Sequence, residues 1–332
     1  MHLRKAIVAL AVAVLAAPAA LASADLKKDF SRPKEVPFPA ENPYTPEKAA
    51  LGKALYFDPR LSGPQNMNCA SCHNPSFGWE VPVKTPVGAQ NVALARQAPT
   101  VLNTAWRHVF FWDGRAATAE EQAKGPIEAP AEMDLPLPDA VARLEAIPAY
   151  DEWFEKVFPG EGVTPDTIVA AIATFERTVV ASYAPFDAWV DGDEKAISDS
   201  AKRGFEVFTG KGKCATCHVG WDFTDNLFHD IGTTKYDAGR GRIDFDDPHA
   251  LYAFKTPSLR DTGQRAPYMH SGEFPTLRSV IEHYVEGGFD RPSRSPLMGP
   301  VDLSAQDIDD LIEFLNALTG AKQVVTLPVL PN

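Results

Sequence analysis

The chain has 332 residues, of which 45% are hydrophobic and 23% are charged. These values are ordinary for a globular protein and leave room for about two domains, so general disorder and a fibrous repeat are excluded. The formal charge of −12 would repel the phosphates of a nucleic acid, and a nucleic-acid partner is therefore not expected.

The first predicted element is an export signal at residues 1–24. Arg4 and Lys5 give it a basic start, an apolar stretch follows over 6–20, and Ala22-Ser23-Ala24 fits a small-x-small cleavage site. A stretch of about 15 apolar residues is shorter than the roughly 20 that a membrane-spanning helix needs, which favours cleavage over anchoring. Cleavage would leave 30 Lys and Arg against 44 Asp and Glu, a charge of −14, and no membrane span in the mature protein. If these acids cluster, they would attract basic redox proteins.

Helix signals then recur along the chain, separated by long loops that contain many of the 29 prolines. Each signal is a Ser or Thr that can cap the first turn before apolar residues at helical spacing. The five predicted caps are Thr45, Thr164, Ser198, Thr276 and Ser304. The first helix should stop near Asp58-Pro59, and the last should use Gly320 as its C-cap. Strand signals are short and few.

All four cysteines fall in two Cys-x-x-Cys pairs, each followed at once by histidine. They are Cys69 and Cys72 before His73, and Cys214 and Cys217 before His218. This is the signature of c-type haem attachment, in which two thiols bind the haem and the histidine ligates its iron. Three alternatives leave the histidine after both pairs unexplained. They are a four-cysteine zinc site, thioredoxin-like redox pairs and structural disulfides.

The predicted fold class is mainly α, with two cytochrome c-like haem domains, long loops and few short strands. One haem in each domain places the boundary between residues 181 and 188. The predicted division is an N-terminal domain at 25–183 and a C-terminal domain at 184–332. An export signal agrees with covalent haem attachment, so the expected location is the periplasm.

Five further motifs make the chain resemble the bacterial di-haem cytochrome c peroxidases, a family that includes MauG-like enzymes. The resemblance covers almost all of the mature chain and rests on LGKALYFDPRL (51–61), APTVLN (98–103), FWDGRA (111–116), FKTPSLR (254–260) and APYMHSG (266–272). It implies that the first haem, in the N-terminal domain, reacts with peroxide, and that the second transfers electrons.

For the first haem, the resemblance implies that His73 is the proximal ligand and that three other residues lie on the distal side. Glu132 would be the acid–base group that moves the peroxide proton, Gln122 would hydrogen-bond the peroxide, and Pro126 would help to keep the sixth iron position free. Taken without the resemblance, Glu132 reads as a solvated surface acid.

Many relatives block the first iron with a distal histidine about 16 residues after the proximal one. Ala89 stands at that position here, and no histidine occurs between His73 and His108. His108 could take the role from another loop, although it lies beside the Trp112 motif. The expectation is an open first haem that needs no reductive activation.

For the second haem, His218 would be one axial ligand, and the resemblance implies Met or Tyr as the other. Aligning the family pattern from Thr276 forward places this second axial ligand at Tyr284. Met298 and Met269 are the alternative ligands. A thioether would raise the haem potential, whereas a phenolate would favour ferric or higher states. Tyr284 also fits a half-buried core aromatic.

Two more assignments follow from the resemblance. Trp112 would relay electrons between the haems, although a lone tryptophan is more often a core residue. Calcium would bind between the haems through the side-chain amide of Gln97, where relatives have Asn, and the carbonyls of Arg265 and Pro267. Calcium tolerates flexible oxygen ligands.

The leading functional prediction is a periplasmic di-haem peroxidase that reduces hydrogen peroxide to water with electrons from a small c-type cytochrome or cupredoxin. The alternative is a MauG-like enzyme that uses peroxide to oxidise Trp or Tyr side chains of a partner protein. Ala89 and Tyr284 favour this alternative. The stretch Lys211-Gly212-Lys213 argues against it, because long-range relatives have a surface tryptophan there. Trp221, which follows the motif, is the candidate to replace that tryptophan. A non-enzymatic two-haem electron carrier is the third possibility.

Overall fold

A computed structural model describes residues 26–233 and 236–332, so the predicted export signal lies outside the described residues. Long loops connect nine α-helices in these two ranges: α1 (Pro46–Tyr56), α2 (Ala119–Glu128), α3 (Leu137–Glu145), α4 (Pro148–Val157), α5 (Pro165–Arg177), α6 (Pro185–Val190), α7 (Asp199–Thr209), α8 (Leu277–Glu286) and α9 (Ala305–Ala317). Two short strands, β1 (Phe228–His229) and β2 (Phe254–Lys255), pair antiparallel. The predicted mainly α fold with few short strands is confirmed. None of the helices in the described ranges has the length and apolar character needed to cross a membrane.

The five predicted N-caps are confirmed. The side chain of each cap residue accepts a hydrogen bond from a backbone N–H in the first helical turn. In α1, for example, the Thr45 hydroxyl accepts from Lys48 N at 3.1 Å. These bonds satisfy donors that have no partner inside the helix, so the cap residues fix where α1, α5, α7, α8 and α9 begin.

The predicted C-cap at Gly320 is wrong. Helix α9 ends at Ala317 and is capped by Leu318, whose backbone is right-handed helical. Gly320 instead allows its segment to pass close to Ser182, since a Cβ atom on Gly320 would lie 2.6 Å from the Ser182 Cβ. Its N–H donates to Asp261 Oδ1 at 2.9 Å. The glycine is therefore needed for packing between distant segments rather than for ending the helix.

A glycine allows two helices to cross closely in each half of the chain. A Cβ on Gly52 in α1 would lie 1.8 Å from the Ala171 carbonyl oxygen in α5. A Cβ on Gly204 in α7 would lie 2.0 Å from the Asp310 carbonyl oxygen in α9. No larger residue fits at either crossing, so each half has a tightly packed helix pair behind its Cys-x-x-Cys-His turn.

Two large hydrophobic clusters form most of the core, and a small third one holds Phe110, Ala116, Ala119 and Ala173. The first extends from Leu51 to Ala181, and the second collects residues from Phe186 to Leu318. Phe30 joins the second cluster from the N-terminal side, and Leu330 of the C-terminal tail packs against the first. We propose a domain boundary between residues 183 and 184, because the two large clusters separate there. Phe30 from the N-terminal side and Leu330 from the C-terminal tail each pack against the cluster of the other domain.

Candidate haem site

A single cavity of about 930 Å³ is lined by both Cys-x-x-Cys-His motifs. This volume lies near the upper end of the roughly 300–1,000 Å³ seen for small-molecule pockets. None of the four cysteines forms a disulfide. Their sulfur atoms therefore remain available for covalent attachment of a cofactor.

The first motif is a tight turn held from behind by α1. The His73 N–H donates to the Cys69 carbonyl at 2.9 Å, and the buried Tyr56 hydroxyl of α1 donates to the His73 carbonyl at 3.1 Å. Burial lowers the pKa of His73 to about 4, which keeps its imidazole neutral. The Nδ1 atom of His73 is buried without a hydrogen-bond partner among the described residues. A neutral imidazole beside two free thiols fits a haem-iron ligand.

Helix α2 and the segment after it form another part of the cavity wall. Gln122 and Pro126 are four residues apart on α2 and face the cavity together, while Ala123 and Ile127 pack into the first hydrophobic cluster. Glu132 follows the helix, and burial raises the pKa of its carboxyl despite the opposing charge of Arg115. The structure thus brings together the three residues predicted for the distal side of the first haem.

Ala89 lies in a loop that is fixed directly onto the Glu132 segment. Its N–H donates to the Glu132 carbonyl at 2.7 Å, and its carbonyl accepts from Asn66 Nδ2 at 3.1 Å. A Cβ on the preceding Gly88 would lie 1.8 Å from the Ala131 carbonyl oxygen. A methyl side chain here cannot ligate iron. His108 is exposed and is not part of the cavity wall.

The second motif orients its histidine by a defined hydrogen bond. His218 Nδ1 donates to the Phe223 carbonyl at 2.8 Å, which leaves Nε2 as the free ring nitrogen. Tyr284 of α8 also lines the cavity. Burial raises the pKa of its hydroxyl, and the thiols of Cys214 and Cys217 lie near enough to raise it further. Met269 and Met298 line the cavity as well, so all three candidate ligands are on its wall.

Trp112 lies on the wall of the cavity that both motifs line, and both its indole and its backbone carbonyl are fixed by hydrogen bonds. Its indole Nε1 donates to the Gln97 carbonyl at 2.8 Å, and its carbonyl accepts from Lys255 N in β2 at 2.8 Å. The predicted calcium residues lie nearby on the same wall, and Gln97 Nε2 donates to Glu80 Oε2 at 3.1 Å.

One cluster of potential metal-ligating groups is found among the described residues. Atoms of Cys217, Asp225 and His229 lie within 4.8 Å of one another. His229 Nε2 bonds Asp225 Oδ2 at 2.8 Å, and hydrogen bonding to this carboxylate, together with Cys217, raises the pKa of His229 to about 9. Because Cys217 belongs to the second haem motif, the cluster is part of the haem pocket rather than a separate metal site.

Sequence reasoning missed four polar residues on the cavity wall. Glu176, Lys255 and His270 are buried, and Arg107 is half-buried. Lys255 and His270 stand inside two of the motifs that carried the family resemblance, which was the available signal. Nothing in the sequence marked Glu176 as a site residue, because the residues around it show only the apolar spacing of an amphipathic helix.

Comparison with known proteins agrees with this geometry. The sequence profile of di-haem cytochrome c peroxidases matches residues 46–195, and that of cytochrome c matches residues 201–319. The methylamine utilization protein MauG of Methylorubrum extorquens is 50% identical over 93% of this chain and 88% of its own length. A cytochrome c551 peroxidase of Nitrosomonas europaea is 36% identical over 89% of this chain and 86% of its own. A crystal structure of a MauG-like protein associated with microbial copper homeostasis superposes with a TM-score of 0.80 and 30% identity, covering 87% of this chain and 95% of that one.

Proposed function

This chain belongs to the di-haem cytochrome c peroxidase family that includes MauG, and from that premise we propose that it oxidises Trp or Tyr side chains of a partner protein with hydrogen peroxide. The family makes it an oxidoreductase that acts with peroxide and implies two haem c groups. The 50% identity to MauG favours partner oxidation over the donor-driven peroxidase that was the leading prediction from sequence.

The observation that carries the proposal is the position of Tyr284. Its side chain lines the same cavity as Cys214, Cys217 and His218 of the second motif. Iron that binds this oxygen would favour the phenolate, which stabilises ferric or higher states and disfavours reduction by a small donor. Tyr284 as the second ligand therefore suits a protein that removes electrons from a partner.

Haem c at each motif would supply the reaction with peroxide and the transfer of electrons. His73 and His218 would ligate the two irons. Glu132 would take a proton from one peroxide oxygen and return it to the other, because its carboxyl is half-buried and accepts no hydrogen bond within the described part of the chain. Gln122 would hold the peroxide, and Pro126, with no N–H and a rigid ring, would limit access to the iron.

The proposed reaction is balanced in electrons and protons. Each hydrogen peroxide takes two electrons and two protons to give two waters, and the partner side chain loses two electrons and two protons. Trp112 would carry electrons between the haems, since its hydrogen bonds at both ends fix its position. The relatives' names point to a protein of methylamine utilisation as the partner.

Calcium between the haems is a further part of the proposal. Gln97 offers an amide oxygen, and the carbonyl oxygens of Arg265 and Pro267 accept no hydrogen bond within the described residues. Three hard, uncharged oxygen donors fit calcium better than a transition metal. Metal analysis of the dialysed protein should find one calcium per chain; none, with intact haems, would remove this site.

We also propose a periplasmic location, on the basis of the basic and apolar N-terminal sequence and its small-x-small site. N-terminal sequencing of the exported protein should begin at Asp25.

One experiment separates the proposed function from its rival. The ferric protein is mixed with hydrogen peroxide and either a reduced small c-type cytochrome or a co-encoded methylamine-utilisation protein. We expect new oxidation of Trp or Tyr in the co-encoded protein by mass spectrometry and slow oxidation of the cytochrome. The E132Q variant is the matched control for peroxide-dependent turnover. Fast cytochrome oxidation with an unmodified protein partner would instead support the peroxidase, whose relatives include the cytochrome c551 peroxidase.

A further inference from the structure

Most cations on the cavity wall are neutralised by carboxylates of the same chain. Arg96 bonds Asp113 at 2.7 Å and Asp237 at 2.6 Å, and Arg265 bonds Glu80 at 2.5 Å. Such pairs offset the cost of burying a charge. The charges in these ion pairs are balanced without any ligand.

Arg107 and Lys255 are different. The Nε atom of Arg107 is buried with no hydrogen-bond partner in the described chain, although its Nη2 donates to the Leu102 carbonyl at 2.8 Å. Lys255 is only 6% exposed, and its Nζ makes no hydrogen bond or ion pair with any described residue. Burial, with Arg107 adding to it, lowers the pKa of Lys255 to about 7. Neither of these neighbouring cations forms an ion pair with a carboxylate of the described chain.

Among the carboxyl groups near these cations, only Asp222 keeps a negative charge that is not paired with another cation. Asp222 accepts from Asn103 Nδ2 at 2.5 Å and from Ser258 Oγ at 2.7 Å. Asp225 is paired with His229 at 2.8 Å. Glu176 is neutral at pH 7, because burial raises its pKa to about 8. Asn103 and Ser258 are neutral donors, so one negative charge, that of Asp222, faces two cations. The excess positive charge favours an anionic group that enters the cavity.

We propose that Arg107 and Lys255 form one anion site between the two haem motifs, which binds haem propionate carboxylates. Lys255 would serve the His218 haem, because its strand β2 pairs with β1, whose His229 lies in the cluster with Cys217. Arg107 would serve the His73 haem, because it bonds the carbonyl of Leu102, a residue of the first hydrophobic cluster against which Cys69 packs. The inference rests on the two haem c groups of the proposed function and adds the residues that control the charge between them.

The proposed anion site lies next to the residue that we propose carries electrons between the haems. The Lys255 N–H donates to the carbonyl of Trp112, the proposed relay residue, at 2.8 Å. A buried cation beside a propionate neutralises it and favours the reduced iron. Removing the cation should therefore lower the reduction potential of the neighbouring haem, and the effect should persist at high salt, because buried pairs are weakly screened.

The test compares the holoprotein with the variants K255Q and R107Q, and uses K213Q as the control. Lys213 is a cation on the same cavity wall, but it is exposed. Spectroelectrochemistry of each haem should show at least a tenfold fall in the ratio of reduced to oxidised haem at a fixed potential for K255Q and R107Q. A tenfold change corresponds to 59 mV for a one-electron couple. K213Q should change the ratio less than threefold, and resonance Raman bands of the propionates should shift only in the first two variants.

Each outcome decides the proposal. Potentials and propionate bands that match wild type in both K255Q and R107Q would overturn it. If K255Q fails to retain haem, K255R decides: restored haem content with a near-wild-type potential supports a charge requirement, and loss of haem in K255R as well overturns it. These readouts need neither peroxide nor a partner protein, so a failure of the proposed function would leave them unaffected.

Discussion

Replacing Glu132 by Gln tests the proposed acid–base group with little disturbance of the structure. The backbone at this position is fixed, because the Glu132 N–H donates to the Ala129 carbonyl at 2.9 Å and the Glu132 carbonyl accepts from Ala89 N at 2.7 Å. The carboxyl itself accepts no hydrogen bond from the described residues. A glutamine keeps the size and both backbone bonds and removes only the ability to transfer a proton.

The expected loss is set by what a positioned acid–base group contributes. Such groups typically accelerate reactions about 10²- to 10⁴-fold, which corresponds to roughly 3–5 kcal/mol of activation free energy. Burial raises the pKa of Glu132, and the carboxyl must be deprotonated to accept the peroxide proton. The wild-type rate should therefore fall as the pH drops through this raised pKa, and the E132Q rate should be low and independent of pH there.

Stopped-flow absorbance of the ferric haems after mixing with peroxide measures this rate directly. The control is E128Q, which removes an exposed carboxylate of the same helix, α2, and should react like wild type. Haem content should be equal in all three proteins. An E132Q rate within threefold of wild type, or an unchanged pH profile, would show that another group moves the proton.

Three further predictions concern the other named residues. Y284F should abolish tyrosinate bands in the resonance Raman spectrum of the second haem, while M298L keeps them; a wild-type spectrum without these bands, together with altered ligation in M298L, would assign the ligand to Met298. W112F should slow electron exchange between the haems at least tenfold by flash photolysis, and an unchanged rate would mean that another route dominates. E176Q should raise the free energy of unfolding above pH 8, as measured by urea denaturation. The reason is that burial raises the pKa of Glu176 from 4.5 to about 8, so the native state loses stability as pH rises through this window. Equal stability of E176Q and wild type at pH 9 would contradict it.

Local signals allowed much of the fold to be predicted. The hydroxyl of each predicted cap residue bonds an N–H in the first turn of its own helix, and such a bond depends only on neighbouring residues. Gly320 failed as a C-cap because its role depends on Ser182, far away in sequence. Helix α2 was not predicted, since Pro126 inside it normally argues against a helix.

The candidate site was predictable where spacing along the chain encodes chemistry. Two cysteines and a histidine within five residues are recognisable anywhere, and the remaining assignments came from family motifs. Arg107 and Lys255 could not be found in this way, because their significance is the absence of a partner carboxylate in three dimensions. A buried charge is recognised only when its surroundings are known.

Electron paramagnetic resonance of the oxidised, as-isolated protein tests the central claim most directly. Because Ala89 would stand on the distal side of the first haem and Tyr284 would ligate the second, we predict one high-spin ferric haem and one low-spin ferric haem in equal amounts. Two low-spin signals would contradict the account, because they would require a sixth ligand on the first iron that the residues around Glu132 do not supply.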